Sequence, residues 1–151
     1  MTVKQINEDN KQSREILSEI KELKKYGDSL IVYEFLDELS EKGNQEMMSK
    51  ACEEGLCETT DEFGWNVLHY ACEEGNLRLV KYLIECGCNK DAKTNDGITP
   101  LIFASVNDHL AVVQYLISVG ANKDAKDNDG NTPLSLSEGE VTDYLISIGA
   151  K

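Results

Sequence analysis

Long apolar runs are missing from this sequence. No segment approaches the roughly 18–20 consecutive apolar residues that a membrane-spanning helix requires. The first nine residues are polar and acidic, which is not the pattern of a secretory signal. We therefore expect no membrane association and a cytoplasmic location, with the nucleus as the alternative.

Positive charge is also scarce. The chain has 15 Lys and Arg residues against 28 Asp and Glu residues, which gives a formal net charge of −13 at pH 7. Nucleic-acid phosphates and anionic lipid headgroups would repel such a chain at distances within the Debye length. We therefore expect no nucleic-acid partner. The charge favours a protein partner that is basic or that presents an apolar anchor site.

What the sequence does contain is a repeat of 33 residues. Residues 64–96 align with residues 97–129, and 16 of the 33 aligned positions are identical. A third copy begins at Gly130 and lacks four residues around positions 137–140. Each copy has an apolar helical face that it cannot bury alone, so we expect the copies to stack into a row.

The motifs of this repeat resemble those of the ankyrin-repeat family. Thr99-Pro100-Leu101 and Thr132-Pro133-Leu134 match the start of its first helix, and the first copy keeps the Leu-His pair as Leu68-His69. The resemblance covers about residues 44–151. It implies an all-α solenoid of helix-turn-helix units joined by β-hairpin fingers, and it implies a protein–protein interaction module rather than an enzyme.

The N-terminal part departs from the repeat. We divide the chain into an N-terminal helical region (1–43) and an ankyrin-repeat domain (44–151). The domain consists of a partial repeat (44–63), repeats 64–96 and 97–129, and a truncated repeat (130–151). Residues 48–55 echo residues 68–75, which predicts that residues 45–54 form the first helix of the partial repeat. Residues 28–54 are predicted to form a helical hairpin that closes the stack, with its apolar stripe at Ile31, Phe35, Leu36 and Leu39.

Residues 2–26 are predicted to form a long helix. Val3, Ile6, Leu17 and Ile20 lie at near-heptad spacing, so this helix could assemble copies of the chain into a homo-oligomeric scaffold. Alternatively, Ile16, Ile20 and Leu23 pack onto the following hairpin and leave the rest solvated.

The resemblance also implies where a partner would bind. Ankyrin arrays contact partners through their finger tips and the exposed side of their first helices. The repeat register assigns these positions to Glu62, Phe63, Trp65, Glu73, Glu74, Asn95, Asp96, Ile98, Val106, Asn107, Asn128, Asp129 and Asn131. Trp65 has two interpretations: it is an interface anchor beside Phe63, or it packs onto the N-terminal hairpin.

Catalytic and metal-binding motifs are weak. His69 and Cys72 are three residues apart, which leaves a metal site or a Cys/His enzyme as a distant alternative. The resemblance instead implies that His69 braces loop backbone, whereas His109 has the position of an ordinary surface residue. The five cysteines are an odd number, so we expect reduced thiols, with Cys57 the exposed and reactive one. Cys86-Gly87-Cys88 lacks a second ligand pair, so no metal or cofactor is expected.

Overall fold

The computed structural model describes residues 2–151. Nine α-helices lie within that range, together with a short 3₁₀ turn at Leu56–Glu58. The helices are α1 (Val3–Tyr26), α2 (Ser29–Glu41), α3 (Gln45–Glu53), α4 (Val67–Glu74), α5 (Leu77–Glu85), α6 (Pro100–Val106), α7 (Leu110–Ser118), α8 (Pro133–Leu136) and α9 (Gly139–Ser147). These residues include no β-strand, so the all-α prediction is confirmed. None of the described helices combines the length and the apolar character needed to cross a bilayer.

The helices form two parallel rows. In one row α2, α4, α6 and α8 pack on each other in order, and in the other row α3, α5, α7 and α9 do the same. Matching residues of the second row are fully buried, as the repeat predicts: Leu83, Leu116 and Leu145 are each 0% exposed. The predicted solenoid is therefore confirmed.

The hairpin at the N-terminal end differs from the sequence prediction in one respect. Residues 45–54 were expected to be a first helix, but α3 packs beside α5 and so lies in the row of second helices. Local geometry agrees, because Asn44 caps α3 as Asn76 caps α5, and a left-handed glycine precedes each cap. The first helix of this unit is α2. The sequence echo with residues 68–75 is therefore misleading.

The apolar stripe of α2 also differs slightly. Phe35, Leu36 and Leu39 are buried as predicted, but Ile31 is 48% exposed and Val32 is 0% exposed in its place. Both residues are β-branched and apolar, so the sequence alone did not decide which one faces the core.

The long helix α1 packs by its C-terminal half. Ile20 and Leu23 are buried, and Ile16 and Leu17 lie partly buried against the same core. The N-terminal half is solvated, with Val3 74% exposed. The alternative in which α1 packs onto the hairpin is therefore the one observed.

Substitutions along α1 should separate its packed and solvated halves. Ile20→Ala should lower the free energy of unfolding by about 2–5 kcal/mol, because it opens a cavity under the helix. Val3→Ala, the matched control, should change it by less than about 0.5 kcal/mol. Urea unfolding followed by circular dichroism gives both values, and similar losses in the two variants would contradict the packing described here.

Candidate functional site

The three fingers comprise residues 61–65, 94–98 and 127–131, and each is one tight turn. The backbone N–H of its first residue donates to the carbonyl of its fifth: Asp61 to Trp65 at 3.0 Å, Thr94 to Ile98 at 3.0 Å and Asp127 to Asn131 at 2.9 Å. The side chains of the first residues accept hydrogen bonds from the same turns. The β-hairpin fingers expected from the family are thus reduced here to closed turns without strands in residues 2–151.

Asparagine side chains join neighbouring fingers. The Asn95 Nδ2 donates to the Glu62 carbonyl at 3.0 Å, and the Asn128 Nδ2 donates to the Asn95 carbonyl at 3.0 Å. The turn glycines permit this approach, because a Cβ on Gly64 or Gly97 would lie 2.5 Å from an asparagine Oδ1. Asn95 and Asn128 were predicted to touch a partner, but their amide nitrogens are used to hold the fingers in a row.

The first finger is fixed by the carboxylate of Asp61. This carboxylate accepts hydrogen bonds from the backbone N–H groups of Phe63 and Trp65, both at 2.9 Å, and from the Tyr70 hydroxyl at 2.6 Å. Burial alone would raise the pKa of Asp61, but these hydrogen bonds outweigh it and hold the pKa below its ordinary value. Burial, followed by the bond to Asp61, raises the pKa of Tyr70 to about 12.

An aromatic row lies behind the first finger. The Trp65 ring centroid is 5.2 Å from that of Tyr70 and 4.4 Å from that of Phe103, and Tyr70 in turn lies 6.2 Å from Tyr33 of α2. Trp65 is therefore half-buried against α4 and α6 of the stack, and Tyr70 is the aromatic residue that reaches the N-terminal hairpin. Phe63, in contrast, is 59% exposed at the finger tip.

The other predicted residues divide by exposure. Asn131 and Ile98 are half-buried, and the Asn131 amide donates to Asp127. Glu73 is half-buried at the end of α4, where burial and then the charge of Glu74 raise its pKa. The residues that remain exposed are Glu62, Glu74, Asp96, Val106, Asn107 and Asp129.

Both histidines brace backbone. In the buried His69, Nδ1 accepts from the Asn66 N–H at 2.9 Å, so Nε2 carries the proton and donates to the Ala92 carbonyl at 2.7 Å. His109 makes the equivalent 2.7 Å contact to the Glu73 carbonyl of the preceding repeat. His109 is therefore not the ordinary surface residue that its position suggested.

The cysteines contradict two expectations. Cys57 is only 8% exposed and forms a disulfide with Cys88, so it is neither exposed nor a free thiol. The cause is spatial: the 3₁₀ turn after α3 returns against the loop after α5 and brings the two Cα atoms within 6.0 Å. The Cys52 Sγ lies 3.0 Å from the Cys57 Sγ. Burial raises the pKa of Cys52, and the nearby Cys86 raises it further. Cys72 is fully buried in the core.

A comparison with known families agrees with this architecture. A family model described as ankyrin repeats (3 copies) matches residues 25–127 and, in a second match, residues 79–151. This chain belongs to the ankyrin-repeat family. Ankyrin repeats generally mediate protein–protein interactions, and proteins of this family are typically not enzymes.

Individual ankyrin proteins match shorter segments. Ankyrin repeat and SOCS box protein 3 of Bos taurus is 45% identical over 42 residues, which cover 28% of this chain and 8% of that protein. Protein phosphatase 1 regulatory subunit 27 of Homo sapiens is 45% identical over 40 residues, 26% of each chain. The 2-5A-dependent ribonuclease of Mus musculus is 31% identical over 62 residues, 41% of this chain and 8% of that protein. The chain thus spans about a quarter or less of the length of these relatives.

Two features of the ankyrin stack escaped the sequence prediction. The bond from His109 to the preceding repeat left no motif, because the equivalent residue in the copy before it is Asn76. The bonds between fingers did leave a signal, since Asn95 and Asn128 recur at the repeat period. For Asn95 and Asn128 this recurrence reflects a structural role, because each side chain bonds to the preceding finger.

The contribution of Asp61 should depend on pH. Because its pKa is lowered in the folded chain, Asp61 stabilises the fold above the ordinary aspartate pKa, and this stability is lost as the pH falls through the lowered value. At pH 7 we expect Asp61→Asn to reduce the free energy of unfolding by about 0.5–1.5 kcal/mol. The difference between wild type and variant should start to shrink below about pH 4.

Urea unfolding over a range of pH measures this difference. Asp96→Asn, at an exposed finger tip, is the control and should change stability by less than about 0.5 kcal/mol at pH 7. A gap between wild type and Asp61→Asn that widens in acid would show that the assigned sign is wrong.

Proposed function

We propose that this chain is a recognition module that captures a protein partner with Phe63 and the acidic finger tips around it. The exposure of Phe63 is the observation that supports this proposal most strongly. Its ring is 59% exposed on a turn whose backbone is held by Asp61 and by the next finger. Large aromatic side chains fixed at such positions are frequent among the residues that dominate binding energy.

The charges around Phe63 define the partner's chemistry. Each of the three fingers carries an exposed carboxylate at its tip, namely Glu62, Asp96 and Asp129. Glu73 and Glu74 add a close pair of acids at the end of α4, where burial and then the charge of Glu74 raise the pKa of Glu73. We therefore propose a partner segment with an apolar pocket or side chain for Phe63 and with Lys or Arg residues around it.

Trp65 has a supporting role in this proposal. It follows Phe63 by two residues and packs against Tyr70 and Phe103. Its removal would therefore disturb the finger as well as any contact with the partner. We assign Phe63 as the anchor and Trp65 as the residue that positions its finger. Asn95 and Asn128 hold the row in shape, and Asn131 bonds within its own finger. Ile98, Val106 and Asn107 extend the surface towards the second repeat.

One relative supports a binding role. The matched human protein is named as a regulatory subunit of protein phosphatase 1, and its similarity to this chain is confined to 40 residues. A shared repeat of that length supports the scaffold and not a shared partner, because one repeat scaffold can host unrelated interactions.

Matched surface substitutions test this proposal. Phe63→Ser should abolish the capture of proteins that wild-type chain retains from a cell extract, as identified by mass spectrometry. Ile146→Ser is the control, because Ile146 is 60% exposed on α9, in the other row of helices. Both variants should unfold within about 0.5 kcal/mol of wild type, since both side chains are solvated. If both variants retained the same proteins, Phe63 would not be part of the interface.

A homo-oligomeric scaffold is the second candidate. Val3 and Ile6 remain exposed on the free half of α1, whereas Leu17 and Ile20 of the same seam already pack on the chain itself. Two apolar residues form a short seam, so weak association is all that it favours. Light scattering of wild type against a Val3→Ser/Ile6→Ser variant tests it: a dimer mass that only the wild type shows would support the scaffold, and equal monomer masses would remove it.

A further inference from the structure

Four of the five cysteines meet in one cleft between the N-terminal hairpin and the first complete repeat. Cys52 lies in the last turn of α3 and Cys57 in the 3₁₀ turn, while Cys86 caps the C-terminus of α5 and Cys88 follows it. Because α3 packs directly on α5, the two pairs face each other, and all four residues line the same cleft. The second ligand pair that Cys86-Gly87-Cys88 lacks in the sequence is therefore supplied by the neighbouring unit.

The sulfur positions suit a single ion. The Sγ atoms of Cys52, Cys57 and Cys88 all lie within 4.8 Å of one another, and Cys86 lines the same cleft. Four sulfurs at about 2.3 Å from a tetrahedral zinc ion would be about 3.8 Å apart. Three of the four sulfurs are therefore already close enough to share one ion, and Cys86 is the fourth sulfur of the cleft.

The other residues of the cleft offer no better ligand than the four cysteines. His69 also lines it, but both of its ring nitrogens are bonded to backbone groups. Glu58 and Lys93 are exposed at its edge, and the Lys93 ammonium offers positive charge to a site that thiolates would make negative. Cys57 is buried whereas the other three cysteines are half-buried, so the cleft is sheltered yet reachable from solvent.

Packing alone does not account for this cluster. At the next junction of the stack, the positions of Cys86 and Cys88 are occupied by Val119 and Ala121. Apolar residues therefore satisfy the ankyrin fold at these positions. Sulfur replaces them at the one junction where the adjacent unit also supplies two cysteines.

We propose that the reduced chain binds a divalent thiophilic ion such as Zn²⁺ through Cys52, Cys57, Cys86 and Cys88. The site would tie the N-terminal hairpin to the first complete repeat, at the same junction that the Cys57–Cys88 disulfide joins in the oxidised chain. This role is separate from partner capture at the finger tips.

The conversion of the disulfide form into the metal-bound form conserves atoms and electrons. Two molecules of a small thiol reductant donate two electrons to the Cys57–Cys88 bond and leave as their own disulfide, and Cys57 and Cys88 become thiols. The ion then forms four metal–sulfur bonds, and four thiol protons pass to solvent. No electron moves in this second step.

Cobalt and zinc binding to the full chain test the proposal. The chain is reduced with a phosphine, freed of metal with a chelator and titrated with Co²⁺ without oxygen. We expect saturation at one equivalent, with a thiolate-to-cobalt charge-transfer band and the intense visible bands of a tetrahedral ion. Zn²⁺ should displace Co²⁺, remain at one ion per chain after dialysis and raise the Tm of the reduced chain.

Two variants make the test specific. Cys86→Val/Cys88→Ala introduces the residues of the next repeat, Val119 and Ala121, so it should fold but lose the bands, the retained zinc and the shift in Tm. Cys72→Ser is the control, because the equivalent residue is Ser105 and Cys72 lies in the core away from the cleft; it should behave as wild type. Wild type without the thiolate bands, or bands that persist in the double variant, would overturn the proposal.

Discussion

Contact between the apolar faces of successive helix pairs determines the rest of this structure. Leu83, Leu116 and Leu145 are the same residue of three successive units, and each is completely buried against its neighbours. None of these units has enough apolar surface on its own to form a core, so stability arises from the interfaces between them. At the N-terminal end α2 and α3 form a further unit, and α1 covers the outside of that unit with Ile20 and Leu23.

The order of the fingers depends on this stack of helices. Once the helices are in register, each finger lies one repeat from the next, and the amides of Asn95 and Asn128 reach the carbonyls of the preceding finger. The tips become a row of fixed positions instead of separate flexible loops. Side chains that the row does not need, Phe63 and the acids at the tips, can then be presented to a partner with little loss of conformational entropy on binding.

The repeat made most of the fold predictable, because its 33-residue period fixes the apolar faces, the glycines that end helices and the finger turns. Prediction failed where residues outside the period decide the packing. The helix at 45–53 echoes a first helix in sequence but packs as a second helix beside α5. Ile31 and Val32 are chemically alike, so only the packing of α2 on its neighbours determines which is buried. Cys57 has no counterpart in the repeat, and its contact with Cys88 depends on how the 3₁₀ turn returns to the stack.

If helix stacking and finger order form one rigid unit, hydrogen exchange should protect the fingers together with the helices. The backbone N–H groups of Asn95 and Asn128 donate to the preceding fingers at 3.0 Å, although both residues are exposed. Residue-resolved exchange measured by NMR should show these two amides protected nearly as strongly as those of Leu83 and Leu116 in the second helices. Rapid exchange at both asparagines while the helices stay protected would contradict the account, because the finger row would then be mobile on a stable stack.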